Sequence, residues 1–340
     1  MSTLVEMSKT EVIVEIAQAH DGSLGILHSY IDAISETGAD TVKFQMHIAD
    51  AESSVHEPFR INFSYEDKTR FDYWKRMGFS FDQWVGIKQH CDEVGINFLC
   101  SPFSIEAFNW LEKLGIERYK IASGEVNNNL LLDKIALTKK PVLLSSGMSS
   151  YSEIDSLVEL FRTTGNDISI FQCTTAYPTP PEQVGLNVIS EMIDRYDFPI
   201  GLSDHSGDIY ASLAAVSLGA RLVEVHAVFN KRQFGPDSSS SLTIESLTEM
   251  VRGIRKIDAM KSNKVTKDDD EKFEKLKQMF GKTLSVRRDI EPGEIVQLED
   301  LESKKPANMG IPANEYKQIL GRQLVSKLKR NDFLQFSDLK

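Results

Sequence analysis

The sequence predicts a (β/α)8 TIM-type barrel followed by a small β-rich domain. Three observations carry this. Short β-rich runs alternate with helical patterns eight times over roughly 250 residues, the usual span of such a barrel. Amphipathic stretches between them end in Gly, as helices often do. Beyond about residue 260 the alternation stops and the composition changes.

In chain order, "EVIVEIA" (11–17), "DTVKFQM" (40–46), "NFLCSPF" (97–103) and "RYKIAS" (118–123) are the first four strands. "PVLLSSG" (141–147), "ISIFQC" (168–173), "PIGLSDH" (199–205) and "RLVEVHAVF" (221–229) are the rest. "GILHSYIDAISETG" and "ASLAAVSLGA" typify the helices between them. The stretch 47–79 is too long for a plain connection and reads as a functional loop. "KSNKVTKDDDEKFEKLKQ" is a charge-rich linker or helix, with 267–275 as a solvated face. "GKTLSVRRDIEPGEIVQLEDL" then shows short strands around a Pro-Gly turn. The expected domains are 1–260, a 261–281 connection, and 282–340.

Composition narrows the function classes. The 340 residues are 41% hydrophobic and 26% charged, the profile of an ordinary globular protein. A net charge of -11 argues against nucleic acid and anionic membranes as partners. An anionic substrate would need capture by a few local cations. The three cysteines, Cys91, Cys100 and Cys173, form no CxxC pair and read as reduced thiols. No signal-peptide core and no apolar run near the ~18 residues of a membrane span is present. A cytoplasmic protein is expected.

The strand tips carry the chemistry. Residues i and i+2 of a strand share a face, so Lys43 pairs with Gln45, Ser203 with His205, and Glu224 with His226. Glu15 interrupts "VIVEIA" and Lys120 interrupts "RYKIAS". All lie toward the C-terminal halves of their strands, the end where barrel active sites sit. A lone His at a strand tip is usually structural; two at matched tips suit a divalent ion with open positions. Lys43 and Lys120, with Ser101, Ser123, Ser145 and Ser203, make a plausible phosphate cradle. A rim salt bridge is the alternative for either lysine, and a helix cap for Ser123 or Ser145. Glu15, Glu125 and Asp237 are available as acids, bases or sugar-hydroxyl acceptors. Glu224 reads as a supporting or packing partner. Cys173 reads as core close to the site, and His28, His47, His56 and His90 receive no role for want of supporting neighbours.

"EIAQAHDGSL", "GADTVKFQ", "SPFS", "YKIASGEVNN", "LSSGM", "YPTPPE", "GLSDH" and "FGPD" occur in an order and spacing that resembles the sialic acid synthases. These are phosphoenolpyruvate-condensing enzymes that make nonulosonic acids. The resemblance spans nearly the whole chain, and the tail resembles the family's antifreeze-like (SAF, β-clip) domain. It implies His205 and His226 as metal ligands, with Mn²⁺ the expected ion and Mg²⁺ or Co²⁺ as substitutes. Lys43, Ser101, Lys120, Ser123, Ser145 and Ser203 match positions that hold phosphoenolpyruvate, and Thr175 falls where a family member has Asn. Gln45, Glu125, Tyr177 and Asp237 match residues that bind the open-chain amino sugar, and Glu15 matches a carboxylate beside the metal and reacting carbons. The implied reaction joins phosphoenolpyruvate to N-acetylmannosamine or a related hexose, with legionaminic or pseudaminic acid synthesis as the alternative. The resemblance further implies a homodimer in which each tail covers the partner's barrel.

Two departures stand out. Ala19-His20-Asp21-Gly22 replaces Asn-His-Asn-Gly, and Lys305-Pro306-Ala307 replaces an Arg-Pro-Gly or Arg-Pro-Ser whose Arg meets the sugar's N-acyl group. Lys305 cannot reproduce a planar bidentate donor. Two more distant readings are another metal-dependent barrel aldolase or condensing enzyme, and a non-catalytic carbohydrate- or ice-binding protein.

Overall fold

Eight parallel strands close on themselves in the computed structural model, which describes residues 9–61, 63–268 and 271–340. They are β1 (Glu11–Glu15), β2 (Thr41–Met46), β3 (Asn97–Pro102), β4 (Tyr119–Ile121), β5 (Val142–Ser145), β6 (Ile168–Cys173), β7 (Ile200–Asp204) and β8 (Leu222–Val228). Each pairs with the next, and β8 returns to β1 with Glu15 opposite His226. The eight predicted strands are the eight observed ones, and the fold class is the predicted barrel.

Alternation along the strands explains the two cores. Val12, Val14, Val42 and Phe44 have one parity and pack outward with helix residues such as Leu27, Ile31 and Ile87. Ile13, Leu99, Leu143, Phe171 and Leu222 have the other parity and form a separate buried cluster. Two residues further along each of those five strands stand Glu15, Ser101, Ser145, Cys173 and Glu224. An apolar layer thus lies directly beneath the polar strand ends, as layered barrel interiors require.

Local chemistry sets the helix bounds. Ser80 and Ser150 open the helices Phe81–Val94 and Tyr151–Thr164 with reciprocal capping boxes. Gly95, Gly115 and Gly165 close helices in the left-handed conformation. Since Ser150 caps the helix after β5, Ser145 is free of that duty. The last barrel helix, Ile244–Ser262, is pinned to the first strand's start: Asp258 accepts from Thr10 N (2.9 Å) and Thr10 Oγ1 (2.7 Å).

The chain divides into two compact units, 1–263 and 264–340. The second has its own core of Leu284, Val286, Ile290, Val296, Ile311, Ile319, Leu324 and Leu334. Its antiparallel pair Thr283–Val286 with Leu301–Lys304 flanks the expected Pro-Gly turn. Within the 267–275 charge run, Asp269 and Asp270 lie outside the described residues, and 271–275 are exposed. No helix among the described residues is long and apolar enough to cross a membrane.

Candidate active site

The C-terminal ends of the strands open into a cavity of about 370 Å³. At its base, register places Glu15 beside Lys43 on one side and His226 on the other. Glu15, fully buried, pairs with Lys43 and accepts from Ala17 N at 2.9 Å. Glu224 is the centre of the charge network. Lys120 Nζ lies 3.0 and 2.9 Å from its two oxygens, Lys43 Nζ lies 3.2 Å away, and Ser203 Oγ donates at 3.2 Å. Burial opposes ionisation of Glu224, but Lys120 and Lys43 hold its carboxyl well below the usual range. Burial drives the Lys43 ammonium down to about 8, against the pull of Glu224. Lys43 and Lys120 bring two cations to a cavity floor that also holds the carboxylates of Glu224 and Glu15. Such a floor can receive an anion.

Hydroxyls ring that floor. Ser123, Ser145, Thr175 and Ser203 line the cavity, and the backbone of Gly147 presses against two of them. A Cβ there would stand 2.4 Å from Ser123 Oγ and 2.5 Å from Thr175 Oγ1, so "LSSGM" needs glycine at this point. Cys173 also borders the cavity, its Sγ 3.9 Å from Ser123 Oγ and its thiol pushed up by burial. Ser101 is not on the wall; it sits opposite Gln45 in the β2–β3 register, with a buried hydroxyl that meets no partner among the described residues.

His205 and His226 face one another with ring centroids 5.3 Å apart. Burial drives both imidazoles down to about 3, so each is neutral. His205 Nδ1 lies 2.9 Å from the Thr174 carbonyl, an acceptor, which assigns the proton to Nδ1 and leaves Nε2 with a lone pair. This donor set fits a divalent metal. Among the described residues no group of three His, Cys, Asp or Glu side chains surrounds one point, so two imidazoles would leave most coordination positions for water and substrate.

The 47–79 stretch, expected as a loop, carries the helices Ala49–Glu52 and Arg70–Met77, and residues such as His47, Arg60 and Trp74 from it line the cavity. Tyr177 stacks on His205 (4.2 Å between centroids). Arg60 from the loop lies 4.1 Å over the Tyr177 ring and donates to Asp237 Oδ1 at 2.6 Å. Glu125 accepts from Asn128 at 2.7 Å, and burial raises its pKa. Gln45 Oε1 accepts from Gln18 Nε2 at 2.8 Å. Gly22 of the "AHDG" segment has φ +75°, and a Cβ there would meet Arg76 O at 2.4 Å, so this turn needs glycine.

The structure therefore gathers Glu15, Lys43, Gln45, Lys120, Ser123, Glu125, Ser145, Thr175, Tyr177, Ser203, His205, His226 and Asp237 around one cavity. Lys305 belongs to the second unit, where its Nζ lies 5.0 Å over the Phe280 ring. Two expectations need correction. His47 has neighbours after all: it is buried, stacked against Trp74 and Phe103, and bonded to Gln45 and Glu52. His28 and His90 contact each other at 2.8 Å, with Asp32 2.9 Å from His90. Glu52 and Arg60 have no signal in the sequence because no strand or helix periodicity orders their surroundings, whereas Trp74, on the helix Arg70–Met77, and Phe103, at the end of the predicted strand 97–103, read as core aromatics.

Comparison with known proteins settles the kinship. The NeuB family model matches residues 30–266, and the SAF domain model matches 282–340. The chain belongs to the NeuB family. This NeuB-family chain is 31% identical to an N,N'-diacetyllegionaminic acid synthase of Campylobacter jejuni, over 96% of its own length and 99% of the relative's. It is 31% identical to the human N-acetylneuraminate-9-phosphate synthase (94% and 90% covered). It is 29% identical to a pseudaminic acid synthase of Helicobacter pylori (97% and 97%). Among solved structures, an N-acetylneuraminic acid synthetase from Leptospira borgpetersenii superposes with a TM-score of 0.70 at 27% identity, covering 78% of this chain and 91% of that one. Nonulosonic acid synthases are thus its relatives, and carbohydrate biosynthesis is the family's field.

Proposed function

We propose that the chain condenses phosphoenolpyruvate with the open-chain form of an N-acyl amino sugar, giving a nonulosonic acid and inorganic phosphate. The carrying observation is the pairing of Lys43 and Lys120 on buried Glu224, beside three serine hydroxyls and two neutral imidazoles in one cavity. The lysines hold the phosphoenolpyruvate anion, and Ser123, Ser145 and Ser203 donate to its oxygens. C3 of phosphoenolpyruvate then bonds to the aldehyde carbon, whose oxygen takes a proton. C2 gains oxocarbenium character, water adds there with loss of a proton, and C2–O cleavage releases phosphate. Among the carboxylates that line the cavity, Glu15 or Asp237 handles these proton movements. Gln45, Glu125 and Tyr177 orient the sugar. His205 and His226 hold a divalent ion, Mn²⁺ by preference, which supplies Lewis acidity toward the aldehyde oxygen.

The working unit in this reading is a homodimer in which each tail serves the partner's barrel. The test of the reaction is a phosphate-release screen with phosphoenolpyruvate, Mn²⁺ and either N-acetylmannosamine or diacetamido-trideoxyhexoses. Sugar-dependent phosphate release supports the reading; release without sugar, or none with any sugar, refutes it.

A further inference from the structure

Glu52 Oε2 is a buried oxygen of the cavity wall that meets no hydrogen-bond donor among the described residues. Glu52 lies at the end of the short helix Ala49–Glu52, with its side chain 8% exposed. Its Oε1 lies 2.6 Å from His47 Nδ1, and the His47 ring is stacked 3.9 Å from Trp74 and 4.4 Å from Phe103. The carboxylate is thereby held in place. Its Oε2 is buried and meets no donor among the described residues, although Glu52 borders the cavity. A polar oxygen left unsatisfied in a buried place is costly, and native proteins keep few of them. Beside it, Gln45 Oε1 is taken by Gln18 (2.8 Å) and His47 Nε2 (3.0 Å), which directs the Gln45 amide N–H₂ away from those partners.

The charges around this end decide what can occupy it. Glu52, Glu57, Glu125 and Asp237 all line the outer part of the cavity. Of the arginines there, Arg60 is paired with Asp237 at 2.6 Å, and Arg70 Nε lies 2.9 Å from Glu57 Oε1 without the alignment of a hydrogen bond. His47 is taken up between Glu52 and Gln45, and both lysines are gathered on Glu224. A phosphate group at this end would lie along carboxylate-lined wall, where Arg60 and Arg70 each already lie beside a carboxylate and both lysines stand at the floor. A ligand with O–H or N–H donors would satisfy Glu52.

We propose that Glu52 is a specificity-determining residue that accepts a hydrogen bond from an O–H or N–H of the acceptor sugar, and that this sugar is neutral and carries no phosphate. The proposal rests on the condensation reading for its first assay only. Glu52→Gln should raise the Michaelis constant of the best neutral sugar at least about tenfold, since a charge-assisted bond is lost. The constant for phosphoenolpyruvate should stay within about twofold, as the lysine floor is untouched. Glu52→Asp keeps the charge but withdraws the oxygen, and should show the same selective rise if Glu52→Gln fails to fold. An unchanged sugar constant in the folded variants, or equal rises for both substrates, overturns the assignment. Equal or better turnover of N-acetylmannosamine 6-phosphate than of N-acetylmannosamine and the diacetamido-trideoxyhexoses by the unmodified protein also overturns it. If no sugar releases phosphate, the condensation reading fails, and saturation-transfer NMR of the same neutral sugars decides separately. Signals present on the unmodified protein and lost in the variants sustain Glu52 as a sugar contact; equal signals, or none at all, refute it.

Discussion

Replacing Glu224 by Gln tests the charge network at its centre. The substitution keeps the shape but removes the one anion that Lys120 approaches to within 3.0 Å and that Lys43 shares with Glu15. Breaking a buried ion pair by neutralising one partner costs about 3–5 kcal/mol, because the other charge stays buried without compensation. For a barrel of this size that is a fall of roughly 6–10 °C in melting temperature. The sign of the pH dependence follows from Lys43. Its folded pKa, pushed down to about 8 by burial, lies below the unfolded value of 10.5. Between those values the unfolded chain holds more protons, so the cost of burying this lysine shrinks as pH rises from 8 toward 10.5. Loss of Glu224 lowers the folded value further, so the variant should recover stability over a window beginning below pH 8. Thermal melts of both proteins from pH 6 to 10 provide the measurement. A Glu224→Gln variant that melts within 2 °C of its parent across that range (roughly 1 kcal/mol or less) would refute the idea that this carboxylate holds the lysines in place.

Further outcomes follow from the same geometry. Lys43→Met and Lys120→Met should each raise the apparent Michaelis constant for phosphoenolpyruvate at least about tenfold, a charge-assisted bond being worth roughly 1.5–3 kcal/mol; unchanged constants in both would contradict the assignment. In the unmodified protein that constant should be flat below pH 8 and climb above it, as Lys43 loses its proton. A chelator should abolish turnover and Mn²⁺, Mg²⁺ or Co²⁺ restore it, while His205→Ala should stay inactive in excess metal; near-parental activity there removes His205 from the metal site. A chain ending at residue 263 should fold, bind metal and turn over very slowly. Mixed with full-length His205→Ala it should regain activity through heterodimers, and failure despite demonstrated heterodimers means that the tail does not serve a partner's barrel.

The barrel was legible because buried parallel strands must be apolar, so every charge inside one marks either an error or a site. Glu15, Lys43, Lys120 and His226 stood out for that reason, and strand parity put them on one face before any coordinates. The same rule undervalued Glu224. As one carboxylate among apolar neighbours it looked like support for His226, whereas its weight comes from Lys43 and Lys120, which arrive from β2 and β4. Cross-strand convergence has no signature in a single strand's pattern. Ser101 shows the converse: the parity is right, yet its buried hydroxyl meets no partner among the described residues and does not line the cavity. The outer wall was illegible for another reason. Glu52 ends a four-residue helix and Arg60 sits in an irregular stretch, where no period relates spacing to direction. Trp74 lies on the helix Arg70–Met77, but its packing on His47 opposite Phe103 is a tertiary contact that spacing does not show.

The central claim is that phosphoenolpyruvate loses its phosphate by C2–O cleavage after joining a neutral amino sugar. Phosphoenolpyruvate labelled with ¹⁸O in the bridging position follows that oxygen directly. Mass spectrometry should find the label in inorganic phosphate, formed one-for-one with the nonulosonic acid and only when sugar and divalent metal are present. Label retained on the organic product, or labelled phosphate released without sugar, contradicts the account.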